Sequence, residues 1–414
     1  MSFKKIDCNL TQKFSEYPDF GVLNGVKVFV SGTAIAGPFA GCLMAEMGAD
    51  VIWIESTKSP DTNRGKGGMG AECDRKNMRN ISLDIPSPEG REILKKLLTN
   101  ADIFIESSKG GTYTKWGLTD EVLWSWNPKL VIAHFSGYGQ SGDPDYVSRG
   151  CYDPVCQAFS GYMALQGFKD REPLAGREVP TDYLAGLSGL ANILAALRYA
   201  DKTGKGESFD IAQFEMAARF QNKLPMDYFN DRKTAAPLGA HNDITAAWGT
   251  YRCKDGNYVY LMFLGAGVMK RGLKYFGYEF GVDPFPTTQN FAKIGTEGGT
   301  ILEAKVKELC NTHDAIEVEN ILCGMGVPCS RVMTYEMMET QPHYVARHTI
   351  KEWDAVDGRH LKGVALVPAV TNNPGQIWRG CPTIGMDNED ILSDLGYDKA
   401  EIAKLYESGV IRKV

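Results

Sequence analysis

Through the first 140 residues, short apolar runs alternate with stretches whose apolar positions recur every three or four residues. VKVFVSG (26–32) reads as a buried strand, followed by a helix over about 37–48, and DVIWIE (50–55) as a second strand. PEGREILKKLLTN (88–100) is an amphipathic helix, and ADIFIES (101–107) is a third strand. TDEVLWSW opens another helix, and KLVIAHFSGYG (129–139) returns as a fourth strand. Strands alternating with helices imply parallel pairing through right-handed crossovers, hence an α/β fold with a doubly wound, mostly parallel, Rossmann-like sheet. Ligands on such sheets sit outside the carboxyl ends of the strands.

Further on, EVPTDYLAGLSGLANILAALRYA (178–200) repeats Leu184, Leu187, Leu190, Ile193, Leu194 and Leu197 at helical spacing, and GKGESFDIAQFEMAARF adds a strand and a helix. The pattern then changes. GTYRCKDGNYVYLMF is a strand pair around an Asp255-Gly256 turn, with helices following over about 302–324. Residues 226–334 therefore read as a smaller α+β domain, and 1–225 with 335–414 as a larger, discontinuous one. In the latter, NNPGQIWRG (372–380) and a short last helix return to the first half.

Composition supports this division, because 414 residues exceed one typical core. A hydrophobic share of 43% with 23% charged residues is that of a soluble globular protein. A net charge of -6 offers nothing to nucleic acid or an anionic membrane. No apolar run reaches the length of a membrane span, and MSFKKIDCNLTQKF lacks the apolar core of a secretion signal, so a cytoplasmic location is expected. The ten cysteines are scattered without CxxC spacing, Cys151/Cys156 and Cys323/Cys329 being the nearest pairs, and reduced thiols are expected. His343 and His348 have no HExxH and no accompanying ligands, so no metal is expected.

Asp182 opens the long apolar helix two residues after Pro180. Two readings stand. It can cap the helix, its oxygen accepting a free first-turn amide in a favourable dipole. It can also be a reacting carboxylate held at a helix start. Gly186 and Gly189 interrupt a helix that would otherwise bury large side chains, which suggests close approach of something, such as a bulky thioester. In SGTAIAGPFAG, Gly32, Gly37 and Gly41 miss the GxGxxG dinucleotide fingerprint. Glu55 ends the second strand as a ribose-binding acid would, so an NAD-dependent oxidoreductase is the alternative of a different class. Gly37-Pro38 suits a helix start open to a phosphate or thioester. Arg75, Lys76, Arg79 and Lys109 lie along the same edge, as a solvated face or as a handle for a phosphorylated cofactor.

AGPFAG, GADVIWIE, NMRNISLD, the carboxylate in PTDYLAGL and TGKGESFDIA together resemble the class III CoA-transferases (CaiB/BaiF type), which share their fold with α-methylacyl-CoA racemases. The likeness runs from about Gly21 to the last helix. SGTAIAGPFAG, DIFIESSKG, LTDEVLW, NPKLVIAH, QAFSGY, MDYFN and NNPGQIWRG are similar to the crotonobetainyl-CoA:carnitine CoA-transferases. The resemblance implies coenzyme A as co-substrate, no nicotinamide, and an aspartate nucleophile at Asp182. That carboxylate attacks an acyl-CoA, and the thiolate returns to form an aspartyl-CoA thioester that an acceptor acid resolves. It also implies cofactor contacts at Lys109, at Asn77 and Arg79 beside the adenosine, and at Ala36, Gly37 and Pro38 beside the pantetheine. A second basic contact falls on Trp116, with Lys115 adjacent as a substitute. Gly265, Ala266 and Gly267 match a loop that covers the intermediate, with fewer glycines than formyl-CoA relatives carry; an ordinary strand-to-helix turn reads equally well. Interlocked homodimers are expected, with linkers near 200–230 and 325–345 permitting them.

Two departures narrow the chemistry. Tyr152 occupies the place of the racemases' proton-moving histidine, which argues against racemisation. Ile35 stands where formyl-CoA transferases carry glutamine, which argues against oxalate or formate. A carnitine-type acceptor needs aromatic faces around a quaternary ammonium, for which Tyr162, Tyr183, Tyr228, Phe229 and Trp248 are candidates. Exchange between an enoyl-CoA and a 2-hydroxy acid is the rival within the family.

Overall fold

The computed structural model describes residues 18–65 and 69–414; MSFKKIDCNLTQKF lies outside them. The chain divides into two compact units. The larger comprises the chain to Tyr162, Ala175–Met226 and Ala346–Val414; the smaller comprises Met163–Leu174 and Asp227–Val345. Relative to the boundaries read from sequence, the smaller unit also takes up 163–174 and runs on to Val345.

The larger unit is built on β1 (Lys27–Gly32), α1 (Ala36–Glu46), β2 (Asp50–Glu55), α2 (Met69–Arg75), β3 (Arg79–Ser82), α3 (Pro88–Thr99) and β4 (Ile103–Ser107). These are followed by α4 (Thr112–Lys115), α5 (Asp120–Trp126), β5 (Val131–Ser136), α6 (Pro144–Val147), α7 (Asp153–Phe159), α8 (Pro180–Thr203), β6 (Ser208–Ala212) and α9 (Gln213–Arg219); of α10 (Leu224–Asp231), the residues from Asp227 on belong to the smaller unit. All six strands are parallel in the order β3-β2-β1-β4-β5-β6, with Val28 beside both Val51 and Ile103. Helices cover both faces, which is why these strands read as continuous apolar runs. The strand pleat sorts the side chains. Val28, Val30, Val51 and Ile105 pack under α1 and α8, while Phe29, Ile52, Ile54 and Phe104 pack against α3 and the C-terminal helices.

The edge strand β3 escaped the pattern because RNIS is mostly polar, yet all four residues are buried. Arg79 pairs with Asp50 at 2.5 Å, and the Asn80 side chain donates to Glu55 and accepts from Gly385 N. The last segment of the chain closes over this edge: Arg379 donates to Met78 O and pairs with Asp387 at 2.5 Å.

Gly186 and Gly189 make room for the fold and not for a thioester. A Cβ on Gly186 would lie 2.9 Å from Ala36 O, and one on Gly189 would lie 2.3 Å from Phe135 Cζ. Both therefore let α8 press against α1 and β5. The expected linkers are also corrected: 200–230 holds the end of α8, β6, α9 and α10. Cys151 and Cys156 form a disulfide instead of two free thiols; the turn into α7 brings their Cα atoms to 6.2 Å.

The smaller unit holds β7 (Trp248–Arg252), β8 (Tyr258–Met262), α11 (Ala266–Tyr275), α12 (Glu297–Thr312), α13 (Ala315–Gly324), β9 (Cys329–Arg331) and α14 (Tyr335–Thr340). Its antiparallel sheet, β7-β8-β9, pairs Arg252 with Tyr258 around the Asp255-Gly256 turn. Val259 and Leu261 point inward with Leu302, Val306 and Leu322, whereas Tyr258 and Tyr260 point out. With β9 and α14 in place, 325–345 is no open linker either.

Candidate active site

The strand order reverses between β1 and β4, which is where ligands settle on a doubly wound sheet. Gly32 ends β1 at φ +136°, and a Cβ there would lie 2.5 Å from Ser107 O. Only glycine lets the two strand ends approach so closely. Beyond them lie two neighbouring cavities, of about 280 Å³ and 440 Å³, that share Thr33, Ser107, Ser108 and Lys109. The first also exposes Asp182, Gln213, Phe135, Arg149 and Tyr152, and the second Lys58, Tyr113 and Trp116.

Asp182 does not cap its helix. Val179 holds the cap position with φ +37°, so Asp182 is the third helical residue. The capping carboxylate comes from Asp153 at the start of α7. Its Oδ1 accepts from Thr181 N at 2.7 Å, Thr181 Oγ1 at 2.5 Å and Asp182 N at 3.3 Å. Gln157 donates to the other oxygen of Asp153, and is itself held by Gly176 N, which donates to Gln157 Oε1 at 2.7 Å. Pro180 has no amide to offer, so the start of α8 is already satisfied.

The Asp182 side chain, 8% exposed, accepts from Gln213 Nε2 at 2.9 Å, and among the described residues no cation pairs with it. Burial, reinforced by the Asp153 and Asp74 carboxylates, pushes its pKa up to about 7, against the pull of the Gln213 bond. The geometry thus offers a desolvated, basic carboxylate opening on a cavity.

Of the other positions singled out in the sequence, Ala36 lines the first cavity and Lys109 lines both. Gly37 and Pro38 are buried behind Ala36, a Cβ on Gly37 falling 3.0 Å from Ser107 Cβ. Lys115, exposed at the end of α4, lines neither cavity, whereas its neighbour Trp116 lines the second. Asn77 and Arg79 are wholly buried and line neither. Asn77 donates to Gln376 O at 2.6 Å and accepts from Trp378 N at 2.8 Å, so its side chain ties down the C-terminal segment. Glu55 is engaged by Arg64, Asn80 and Asp61 N. Gly265 precedes α11 in the smaller unit at φ +105°, with Ala266 and Gly267 opening the helix and exposed. Of the aromatic candidates, Tyr162 and Tyr183 belong to the larger unit but do not line the Asp182 cavity; Tyr228, Phe229 and Trp248 belong to the smaller. Two side chains bonded to the first turn of α8 escaped the sequence reading, Asp153 and Gln213. Gln213 was findable in principle, because it sits where β6 ends and α9 begins, at the ligand edge of the sheet.

Among the described residues no group of three or more metal-ligating side chains gathers, and no helix is long and apolar enough to cross a membrane. Among the residues lining the Asp182 cavity there is no histidine to move a proton as the racemases do.

Sheet and site together define a doubly wound α/β protein with a carboxylate at its switch point. Residues 23–388 match CoA-transferase family III, and the chain belongs to that family. It is 41% identical over 399 residues to the bile acid CoA-transferase BaiK of Clostridium scindens, an alignment spanning 96% of this chain and 91% of the relative. The crystal structure of a CaiB/BaiF family protein from Brucella suis superposes with a TM-score of 0.77 at 26% identity, covering 91% of this chain and all 100% of that one. Rv3272 from Mycobacterium tuberculosis shares the fold with a TM-score of 0.76 at 20% identity, covering 89% and 98%. Membership makes the chain a CoA-transferase that uses coenzyme A as co-substrate; the dehydrogenase reading is not favoured.

Proposed function

We propose that the chain moves CoA between carboxylic acids with Asp182 as the nucleophile. The observation that carries this reading is an unpaired, buried carboxylate, raised to about 7 and aimed into a cavity at the switch point. A carboxylate is a weak nucleophile in water. Burial makes it more basic, and proximity to a bound thioester supplies most of the remaining rate. Lys109 at the junction of the two cavities suits the CoA phosphates, and Trp116 gives the second cavity an aromatic face where the resemblance to the carnitine enzymes implied a basic contact. Asn77 holds the C-terminal segment and Arg79 pairs with Asp50 at the far end of the strands, so neither reaches the cavities, and Lys115 is a peripheral charge. A cytoplasmic homodimer is the working form.

For the acid carried, the likeness to BaiK favours a bulky, largely apolar carboxylic acid of the bile acid type over carnitine. Carnitine would need an aromatic cage, and the Asp182 cavity has only Phe135 and Tyr152 to offer. The test is a panel of acyl-CoA donors against bile acids, carnitine, butyrobetaine and 2-hydroxy acids, with hydroxylamine trapping and peptide mass analysis. A mass shift on the Asp182 peptide and fastest exchange with bile acids are expected. Asp182→Asn keeps CoA binding and loses nearly all turnover. An unshifted Asp182 peptide with every active donor would overturn the mechanism, and fastest exchange with carnitine or a 2-hydroxy acid would overturn the substrate class.

A further inference from the structure

We infer that Gln213 is a catalytic residue of the transfer, donating from Nε2 to the oxygen on which charge collects when the Asp182 thioester is attacked. The inference rests on the aspartyl-CoA reading above and goes beyond it by naming the group that stabilises the oxyanion. Gln213 is 5% exposed, opens on the same cavity as Asp182, and bonds Asp182 Oδ1 and Thr181 Oγ1, both at 2.9 Å. The amide orientation is fixed by its neighbours. Thr181 gives its hydroxyl proton to Asp153, so its oxygen must accept, and the carboxylate can only accept. The NH₂ end satisfies both, and the carbonyl end satisfies neither. First-turn amides cannot take this role, because Thr181 N and Asp182 N both donate to Asp153. Among the described residues, Gln213 is the one donor bonded to the Asp182 carboxylate.

The chemistry requires such a donor. When an acceptor carboxylate oxygen attacks Cγ of the aspartyl thioester, a C–O bond forms and the carbonyl π pair moves onto Oδ1. That pair returns as the C–S bond breaks, and CoA thiolate leaves with its electrons. The resulting anhydride joins Asp182 to the acceptor acyl group. Thiolate then attacks the acceptor carbonyl carbon, and Asp182 departs as carboxylate. Oδ1 is a neutral carbonyl oxygen in the thioester and bears a full charge in the adduct. The Gln213 bond therefore strengthens along the reaction coordinate, which is the condition for lowering the barrier.

The experiment uses the full chain carrying Gln213→Met, which matches the volume without a donor, and Gln213→Glu, which keeps the shape but presents an acceptor. The aspartyl-CoA adduct is formed with a donor that labels the wild type, a bile acyl-CoA first. Excess donor is removed, the acceptor acid is added, and loss of adduct is followed by intact mass. Both variants are expected to bind CoA normally and to break the adduct down about 10²–10³ times more slowly, with the acceptor KM little changed. A variant that does not fold, judged by circular dichroism, is replaced by the other. Breakdown within threefold of wild type in a folded variant overturns the role of Gln213 while leaving the Asp182 nucleophile intact. No adduct on wild-type Asp182 with any donor overturns the underlying reading, and this inference with it.

Discussion

Gly189→Ala tests whether the close contact between α8 and the sheet is what the site stands on. Alanine is the better helix former by about 1 kcal/mol, so a free helix would gain. Here the new methyl would lie 2.3 Å from Cζ and 2.7 Å from Cε1 of Phe135, with Ile211 Cδ1 at 3.1 Å. Phe135 is 2% exposed on the interior strand β5, and the one free space its ring borders is the Asp182 cavity, so relieving the contact pushes the ring toward the site. Overpacking of this kind costs about 1–3 kcal/mol, and contacts under 2.5 Å belong at the upper end. The clash wins, leaving a net loss of about 1–2 kcal/mol. Because Phe135 also lines the Asp182 cavity, its displacement should raise the KM for acyl-CoA as well. Gly324→Ala is the control: that glycine closes α13 with nothing within 4 Å of its missing Cβ, so it should gain about 0.5–1 kcal/mol. Hydrogen exchange reads each helix in its own unit. Amides of α8 should exchange about 5–30 times faster in Gly189→Ala, and those of α13 more slowly in Gly324→Ala. Unchanged or slower exchange along α8 in Gly189→Ala would refute the packing argument.

With Asp182 as the proposed nucleophile, its raised pKa predicts that kcat/KM climbs with pH to a plateau above about 7, because only an ionised carboxylate attacks. Asp153→Asn removes a negative neighbour that opposes this ionisation, so the rising limb should move to lower pH, whatever happens to its height; a limb that stays put or moves up sinks the electrostatic account. A second pH dependence concerns stability. His134 is bonded to Glu106 and Asp120 at 2.9 Å each, and despite its burial these carboxylates raise its pKa from 6.5 to about 9. Its folded value lies above its unfolded one, so the contribution is complete below pH 6.5 and lost as pH rises through about 9, a change of about 3 kcal/mol. Denaturant midpoints should fall across that window in the wild type and stay flatter in His134→Gln; parallel slopes would remove the imidazolium from the account.

The strands β1, β2, β4 and β5 were legible because burial on both faces writes them as unbroken apolar runs. β3 was not, because the edge strand hides Arg79, Asn80 and Ser82 by pairing them with acids and with the chain's last segment. Asp182 was legible as a residue but not as a geometry: sequence spacing cannot say that the capping oxygen comes from 29 residues upstream. Gly186 and Gly189 show the converse error. Their small size is needed, but the neighbours they admit are Phe39 and Phe135, not a ligand. Cys151 and Cys156 escaped because a turn of backbone, invisible in spacing, sets them face to face.

A helix start ordinarily lowers the pKa of a carboxylate, since its free amides and dipole favour the charged form. A nucleophile placed there would be tame. This chain divides the two tasks between two aspartates. Asp153 takes the amides of Thr181 and Asp182, the Thr181 hydroxyl and the Gln157 amide, so its charge is dispersed over four donors. Asp182, on the neighbouring helix α8, is left with a single donor and two nearby negative charges, and stays basic at about 7. Supplying the cap from α7 also fixes the angle at which α8 presents its first turn to the cavity. Removing Asp153 should therefore both soften the helix start and acidify the Asp182 carboxylate, two effects that a cap provided by Asp182 itself could never separate.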